Sequence, residues 1–235
     1  MQQIREQQIL EYLNGKKSAG INELAKLLYT SESSIRRDLK RLETRGLVRR
    51  VHGGVILSEY KNEVTPLLLR DSENYIAKET VAQKAAELVK NGDTLFIDSS
   101  STTWRVVKHL KKLKNIRVIT NSLAVLDEIA DSNIEAYCTG GVFRPKNRDF
   151  IGRDAEKYIR SVYADIAFIS SNAISLDGEI SDVSAEWTSL RQAMLARAKR
   201  KVFLCDSSKI GERRVFTLCT KDDFDDIICD CPLPW

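Results

Sequence analysis

From Ile76 onward the sequence alternates between helical and strand-like segments, and this alternation limits the folds that the chain can adopt. Short apolar runs rich in β-branched and aromatic residues predict strands, and the segments between them have helical periodicity. The predicted strands are 94–97, 116–119, 134–137, 166–169 and 201–204. The predicted helices are 76–90, 102–112, 122–131, 154–161 and 184–199. Because strands that alternate with helices form a largely parallel sheet covered by helices, we predict an α/β domain.

Residues 1–57 show a different pattern, which predicts three short helices and a hairpin. The first helix ends at Asn14-Gly15, the second spans about 21–28, and the third ends near Arg45. Two short strand-like runs then flank His52-Gly53-Gly54, where the two glycines allow the positive φ angles of a tight turn. Two short helices across a tight turn, followed by a hairpin, predict a winged helix-turn-helix.

Positive charge is concentrated in this N-terminal part. The chain of 235 residues has a formal net charge of +4, but residues 1–58 contain 11 Lys/Arg against 6 Asp/Glu, a balance of +5. The remaining residues therefore carry a balance of −1. A compact basic module followed by a nearly neutral domain indicates a polyanionic partner for the module only.

The candidate DNA-binding residues lie on the third helix and on the hairpin. The helix face opposite Ile35, Leu39 and Leu42 carries hydroxyl and basic side chains, of which the first can reach base edges and the later ones phosphates. The candidates are Ser33, Ser34, Arg36, Arg37, Lys40, Arg41, Arg49, Arg50 and His52. A solvated helix face remains the alternative for the charges, and an ordinary turn residue is the alternative for His52.

Hydroxyl-rich or glycine-rich segments follow four of the predicted strands. These segments are Asp98–Thr103, Thr120–Ser122, Cys138–Gly141 with Arg144 nearby, and Asp206–Lys209. Ligands bind at the carboxyl ends of strands in such sheets, and the N–H groups at helix N-termini suit phosphate. The pattern therefore predicts a small anionic ligand, although N-caps and turns alone would explain any single segment.

The order of the motifs resembles that of a known family. Ser34-Ile35-Arg36-Arg37-Asp38-Leu39, Gly46-Leu47 and Arg50-x-His52-Gly53-Gly54 resemble the winged helix-turn-helix of DeoR-type bacterial transcriptional regulators. The segments after the strands, with Phe150-x-Gly152, resemble the sensor domain of that family. That domain is similar in fold to ribose 5-phosphate isomerase and the CoA-transferases and binds phosphorylated sugars.

The resemblance also implies which residues contact the effector. They are Asp98, Ser99, Ser100, Ser101, Thr102, Thr103, Asn121, Gly140, Gly141, Arg144, Arg191 and Lys209. Two of these positions depart from the family pattern, because Ser100 stands where the family usually has Gly and Arg191 where it usually has Lys. An Arg can still clamp a phosphate, but with a different reach.

These observations predict a DNA-binding domain over 1–57, a linker over 58–75 and a phosphosugar-binding sensor domain over 76–235. We expect a cytoplasmic transcription regulator, a repressor rather than an activator, that works as a homo-oligomer (dimer or tetramer). Its expected partners are double-stranded operator DNA and a phosphorylated sugar or similar anionic metabolite, and we expect no membrane contact and no cofactor. The alternative is a sugar-phosphate isomerase or transferase, for which Asp98, Glu179, Glu186 and Lys209 could supply acid–base groups.

The five cysteines have no repeated spacing, and their odd number favours free thiols in a reducing compartment. Cys138 and Cys205 end strand-like runs, so we expect both to be buried. Cys229-x-Cys231 has no matching second pair in the sequence. We therefore expect no metal site.

Overall fold

The computed structural model describes residues 2–16, 18–51, 54–57 and 66–235, and of these the side chains of Gln2, Gln3, Arg49, Val51 and Ile56 are not described. The chain forms two compact units, Met1–Glu73 and Asn74–Trp235. None of the described helices has the length and apolar character that crossing a bilayer requires.

The N-terminal unit consists of helices around a small antiparallel sheet. Its helices are α1 (Gln2–Lys16), α2 (Ile21–Leu27), α3 (Glu32–Thr44) and α4 (Leu67–Ser72). Its strands are β1 (Ser18–Gly20), β2 (Val48–Val51) and β3 (Gly54–Leu57), in the order β1-β3-β2. The predicted helix-turn-helix with a strand hairpin is therefore present. Strand β1 was not predicted, because three residues are too few to show an alternating pattern.

Local signals define both ends of α3. The hydroxyl of Ser31 caps the helix by accepting from the backbone N–H of Ser34 at 3.3 Å, which satisfies a donor that has no partner inside the helix. After the helix, Gly46 adopts a φ of 73°, the left-handed conformation that commonly follows a helix end. Between these ends the fully buried Leu39 and Leu42 fix which face of α3 turns inward.

The segment predicted as a linker, 58–75, lies partly outside the described residues, which resume at Pro66. From there the chain forms α4, whose Leu69 is buried in the N-terminal core. In addition, the Asn14 side-chain amide of α1 donates to the Ser72 hydroxyl at 2.8 Å. The described end of this segment is therefore packed against the N-terminal unit.

The C-terminal unit is built on a six-stranded parallel sheet, which confirms the predicted α/β class. The strands of this sheet are β4 (Thr94–Ile97), β5 (Arg117–Thr120), β6 (Glu135–Cys138), β9 (Ala164–Ile169), β12 (Ala198–Cys205) and β14 (Asp226–Cys229). They lie in the order β14-β12-β9-β4-β5-β6. The accompanying helices are α5 (Tyr75–Ala86), α6 (Ser101–Leu110), α7 (Leu123–Ile129), α8 (Arg153–Ser161) and α9 (Ala185–Leu195).

Five further strands, which the sequence did not predict, form a two-stranded and a three-stranded antiparallel sheet. They are β7 (Val142–Arg144), β8 (Asp149–Ile151), β10 (Ala173–Ile174), β11 (Glu179–Asp182) and β13 (Phe216–Thr220). Strand β7 pairs with β8, and β11 lies between β10 and β13. Most of them are only two to four residues long. Such lengths give little periodic signal.

Helices cover both faces of the parallel sheet, because successive strand residues point to opposite sides. In β4, Leu95 and Ile97 pack with apolar residues of α5, α6 and α7, whereas Phe96 packs with those of α8 and α9. The predicted helix over 184–199 ends at Leu195, because Ala198 already pairs with β9 as the first residue of β12. The expectation that Cys138 is buried is wrong: it ends the edge strand β6 and is exposed, whereas Cys205 is buried as expected.

Candidate functional site

The candidate DNA-binding residues on α3 differ in exposure. Ser33, Arg36, Arg37 and Lys40 are exposed, and we call these four residues the outer face of α3. Among the described contacts of these four residues, the ion pair is a long one: an Arg36 guanidinium nitrogen lies 3.5 Å from a carboxylate oxygen of Glu32, one turn earlier. Exposed pairs of this kind cost little to break. The outer face therefore presents guanidinium and ammonium groups that a polyanion can approach.

Arg41 lies on the same helix but is engaged with α1. Its Nε donates to Glu6 at 2.8 Å, and its guanidinium also pairs with Asp38. Asp38 is fully buried and also pairs with Arg5, while Glu6 pairs with Arg45 as well. This network of alternating charges ties α1 to α3. We therefore expect Arg41 to contribute less to DNA contact than the outer face does.

Glu43 connects the described part of the hairpin to α3. It accepts from the backbone N–H of Arg50 at 3.0 Å and from the Arg50 Nε at 2.7 Å, and these contacts lower the pKa of the Glu43 carboxyl below its ordinary value. Ser34 is half-buried on the first turn of α3. His52 lies outside the described residues, as does the side chain of Arg49, so their predicted roles stay predictions.

In the C-terminal unit, the side-chain hydroxyl groups of the segment after β4 make hydrogen bonds to the backbone of that same segment. Ser100 caps α6 by accepting from the Thr103 N–H at 3.1 Å, and the Thr103 hydroxyl donates to the Asp98 backbone oxygen at 3.0 Å. All six residues of Asp98–Thr103 are buried. Ser100, which stands where the family usually has Gly, therefore acts as the helix cap here.

Three buried polar atoms just after strands β4, β5 and β12 have no hydrogen-bond partner among the described residues. They are the Thr102 hydroxyl oxygen, the Asn121 side-chain oxygen and Asp206 Oδ2. The Asn121 amide nitrogen donates to the Phe150 carbonyl at 3.1 Å, which fixes which end of the amide is the oxygen. Leaving buried polar atoms unpaired is costly, so such atoms are expected where a ligand or water completes the site.

Arg191, predicted to face the effector, is buried and paired with two carboxylates. Its Nε lies 2.5 Å from Asp98 and its Nη1 lies 2.6 Å from Asp182. Burial alone would lower the pKa of the Arg191 guanidinium, but attraction by Asp98 and Asp182 outweighs it and raises that pKa. The charges of Arg191 and Asp98 are thus already matched inside the protein.

Arg144 makes a similar internal pair. Its Nε and Nη2 donate to the two oxygens of Asp149, at 3.0 and 2.8 Å, in a bidentate arrangement. The Trp187 indole N–H also donates to Asp149. The guanidinium carbons of Arg144 and Arg191 lie 5.1 and 5.4 Å from the centroid of the Trp187 ring. The buried Trp187 therefore lies close to two guanidinium groups that belong to separate ion pairs.

Hydrogen bonds join these side chains into two groups, one around Asp98 and one around Asp149, which meet at the adjacent residues Asp98 and Ser99. Asn121 donates to Ser99 at 3.2 Å, and Lys209 Nζ donates to Ser170, whose backbone N–H lies 3.5 Å from Asp98. We call these residues at the carboxyl edge of the sheet the sensor pocket. Its linked charged groups are Asp98, Asp149, Asp182, Arg144, Arg191 and Lys209.

The sequence predicts a small anionic ligand at these strand ends, but the charged side chains of the sensor pocket are balanced. Among the linked groups carboxylates are as numerous as cations, and Glu186 adds a further carboxylate at the start of α9. The described side chains therefore give the pocket no net positive charge. An anion bound there would depend on local N–H and hydroxyl donors, such as those at the N-terminus of α6.

Glycine is favoured at the two candidate positions, Gly140 and Gly141, for different structural reasons. A side chain at Gly141 would place its Cβ 2.5 Å from the Ile151 backbone oxygen, so Gly141 is needed for the close approach of β8. Gly140 has a φ of 65° and open space around it. Gly140 is therefore favoured by its backbone conformation and not by a close neighbour. Asp149, Asp182 and Trp187 were missed from the sequence, because each acquires its role only through partners distant in the chain.

Comparison with known proteins gives matches over both units. A model of the DeoR-like helix-turn-helix domain matches residues 5–61, and a model of the DeoR C-terminal sensor domain matches residues 73–231. The chain is 32% identical over 231 residues to the uncharacterized HTH-type transcriptional regulator YulB of Bacillus subtilis, covering 97% of this chain and 89% of that protein. It is 30% identical over 227 residues to the HTH-type transcriptional regulator GolR of Listeria innocua, covering 96% and 89%. Among solved structures, ribose 5-phosphate isomerase A of Methanocaldococcus jannaschii aligns with a TM-score of 0.44 at 18% identity, over 59% of this chain and 55% of that one.

Proposed function

Because this chain belongs to the DeoR family of transcriptional regulators, we propose that it is a cytoplasmic repressor that leaves its operator when a phosphorylated sugar binds the sensor pocket. Family membership makes it a DNA-binding regulator and not an enzyme. The repressor role, the class of effector and the residues that bind it are the proposal.

The outer face of α3 is the observation that carries the DNA-binding part. Leu39 and Leu42 are buried on one side, so Arg36, Arg37 and Lys40 are turned outward together. Arginine near the start of such a helix can pair with guanine through a bidentate fork, and Lys40 further along suits phosphate. Ser33 and Ser34, before them, can contact phosphate or base edges.

The unpartnered atoms of the sensor pocket support a phosphorylated sugar as effector. The Asn121 oxygen can only accept, so its missing partner is a donor, such as a sugar hydroxyl. The Thr102 hydroxyl lies in the first turn of α6, where backbone N–H groups and the helix dipole favour a phosphate. We propose that the phosphate of this ligand meets the Thr102 end of the site and that a sugar hydroxyl meets the Asn121 oxygen.

We further propose that the protein acts as a dimer or tetramer, since one winged helix reads only a short half-site and two-fold symmetry pairs half-sites. For the effector to regulate, it must bind the DNA-competent and DNA-incompetent states with different affinity. The direction proposed is tighter binding to the incompetent state, so that the effector releases DNA.

A panel of pentose and hexose phosphates tests the sensor part of the proposal. We expect one or a few members to raise the melting temperature of the protein without being converted, because binding to the folded state stabilises it. The matching unphosphorylated sugars serve as controls and should have a much smaller effect. Turnover of a sugar phosphate at an enzymatic rate would contradict the proposal and favour the isomerase alternative.

A further inference from the structure

A cluster of thiol and carboxylate groups lies at the ends of β12 and β14, and the regulatory function does not use it. Cys205 and Cys229 are direct neighbours in the parallel pairing of these two strands. Just beyond, the sulfur atoms of Cys229 and Cys231 are 3.7 Å apart, and an Asp230 oxygen lies 3.4 Å from the Cys229 sulfur. One ligand atom from each of Cys229, Asp230 and Cys231 therefore falls within 4.8 Å of the others.

We propose that Cys229, Asp230 and Cys231 bind a zinc ion. Zinc in proteins is tetrahedral, with Zn–S near 2.3 Å and Zn–O near 2.0 Å, which places two ligand sulfurs about 3.8 Å apart and a sulfur and an oxygen about 3.5 Å apart. The observed separations of 3.7 and 3.4 Å match both values within a few tenths of an ångström. A disulfide would need the same sulfurs to approach to about 2.05 Å. Two of the three ligand separations therefore fit a shared ion, and the third, between Cys231 and Asp230, lies within 4.8 Å.

The carboxylate ligand is already oriented by its neighbours. Asp230 accepts from the Ser207 backbone N–H at 2.7 Å through one oxygen and from the Ser207 hydroxyl at 3.0 Å through the other. Each carboxylate oxygen keeps a further lone pair for a metal. Hydrogen bonds of this kind, made to a ligand rather than to the ion, hold it in position and strengthen metal binding.

The surroundings allow an ion to enter and to be tolerated. Cys229 and Cys231 line an open groove of about 430 Å³ whose other walls are Lys84, Ile227, Ile228, Leu233 and Trp235. With three protein ligands, the fourth tetrahedral position is left for water from this groove. A zinc ion with two thiolates and one carboxylate has one net negative charge, and the Lys84 ammonium, which donates to the Cys229 carbonyl at 3.1 Å, lies beside it.

The sequence analysis considered the Cys229-x-Cys231 pair but predicted no metal site, because metal sites are recognised in sequences by two spaced pairs of ligands. Here the third ligand is Asp230, the residue between the two cysteines, and its orientation comes from Ser207 on another strand end. Soft thiolate ligands select zinc over magnesium or calcium. The ligand set therefore fits zinc even though the spacing pattern is incomplete.

Cobalt titration of the reduced, chelator-treated full-length protein tests the site. Co²⁺ is the probe, because thiolate-bound cobalt gives a ligand-to-metal charge-transfer band in the near ultraviolet. We expect this band to saturate at one equivalent per chain and to disappear when Zn²⁺ is added. Cys231→Ser should remove most of the band and weaken zinc binding by at least about tenfold. Loss of a residue that only orients a metal ligand already weakens binding by about tenfold or more, and Cys231 is a ligand itself. Zn²⁺ should also raise the melting temperature of the parent but not of Cys231→Ser.

Matched variants separate this site from other thiols. Cys138→Ser and Cys219→Ser each remove a cysteine outside the cluster and should leave the band unchanged. Cys231 and Asp230 are partly exposed, so Cys231→Ser and Asp230→Asn should fold normally, which the melting curve checks without metal. A band that persists in Cys231→Ser, a band lost in Cys138→Ser, or no saturable binding by the parent would each overturn the proposal.

Discussion

The outer face of α3 and the sensor pocket differ in how exposed their basic side chains are and in whether carboxylates pair with them. On α3 the cations are exposed and weakly paired, so their charge is available to a polyanion at little cost. In the sensor pocket Arg191 is buried and meets Asp98 and Asp182, and the half-buried Arg144 meets Asp149. The comparison teaches that basic residues can serve as contacts in one region and as internal supports in another. The predictions below test that division, beginning with the largest expected effect.

Arg191→Met should destabilise the protein by about 3–5 kcal/mol, because removing one partner leaves buried carboxylates uncompensated. The free energy of unfolding in urea measures it. The matched control is Arg160→Met, an exposed arginine that lies 4.0 Å from Glu156, where the expected change is within about 0.5 kcal/mol. If Arg191→Met lowers the free energy of unfolding no more than Arg160→Met does, the buried ion pairs of Arg191 do not stabilise the fold.

Arg36→Ala should weaken operator binding by about 1–3 kcal/mol if its guanidinium reads a base, and it should leave stability nearly unchanged. Arg36 and Arg160 are matched, since each is exposed and paired with a glutamate one turn earlier on its helix. Fluorescence anisotropy with a DNA duplex selected by the protein, at one fixed salt concentration, compares Arg36→Ala and the control Arg160→Ala with the parent. Equal affinity of Arg36→Ala and parent would remove Arg36 from the reading surface.

Two threonines of the same helical turn separate ligand contact from support. The Thr103 hydroxyl bonds to the Asp98 backbone, so Thr103→Val should cost about 1–3 kcal/mol of stability. The Thr102 hydroxyl has no described partner, so Thr102→Val should change stability by less than about 1 kcal/mol but abolish most of the thermal shift caused by the effector. Thermal unfolding with and without the active sugar phosphate measures both. A normal ligand shift in Thr102→Val would contradict the assignment.

The smallest effect concerns Glu23, a partly exposed carboxylate of the N-terminal unit. Hydrogen bonds from Tyr12, from Lys16 and from the Gly20 backbone N–H lower the pKa of Glu23 from its ordinary 4.5 to about 2. A lowered pKa in the folded state gives stability that is complete above about pH 4.5 and is lost as the pH falls toward 2. Melting curves of parent and Glu23→Gln should therefore converge over that interval. Parallel curves across it would show that Glu23 does not contribute.

Most of the helices and strands, and the chain segments that carry the candidate site residues, could be predicted from the sequence. The patterns that predict them lie within a few consecutive residues. The apolar positions Leu39 and Leu42 define the inward face of α3, and the hydroxyl run at Asp98–Thr103 marks a helix start after a strand. Asp149 and Trp187 could not be predicted in the same way. Asp149 gains its meaning from Arg144 and from an indole 38 positions later in the chain. Pairing between distant residues leaves no local pattern, which is also why the charge balance of the pocket emerged only from the structure.

The most direct test of the central claim is the affinity for operator DNA measured with and without the active sugar phosphate, in the parent and in Thr102→Val. The account predicts that the sugar phosphate weakens DNA binding by the parent and has little effect on Thr102→Val, while both bind DNA equally well without it. Unchanged DNA affinity of the parent at saturating sugar phosphate would contradict the claim that the sensor pocket controls the outer face of α3.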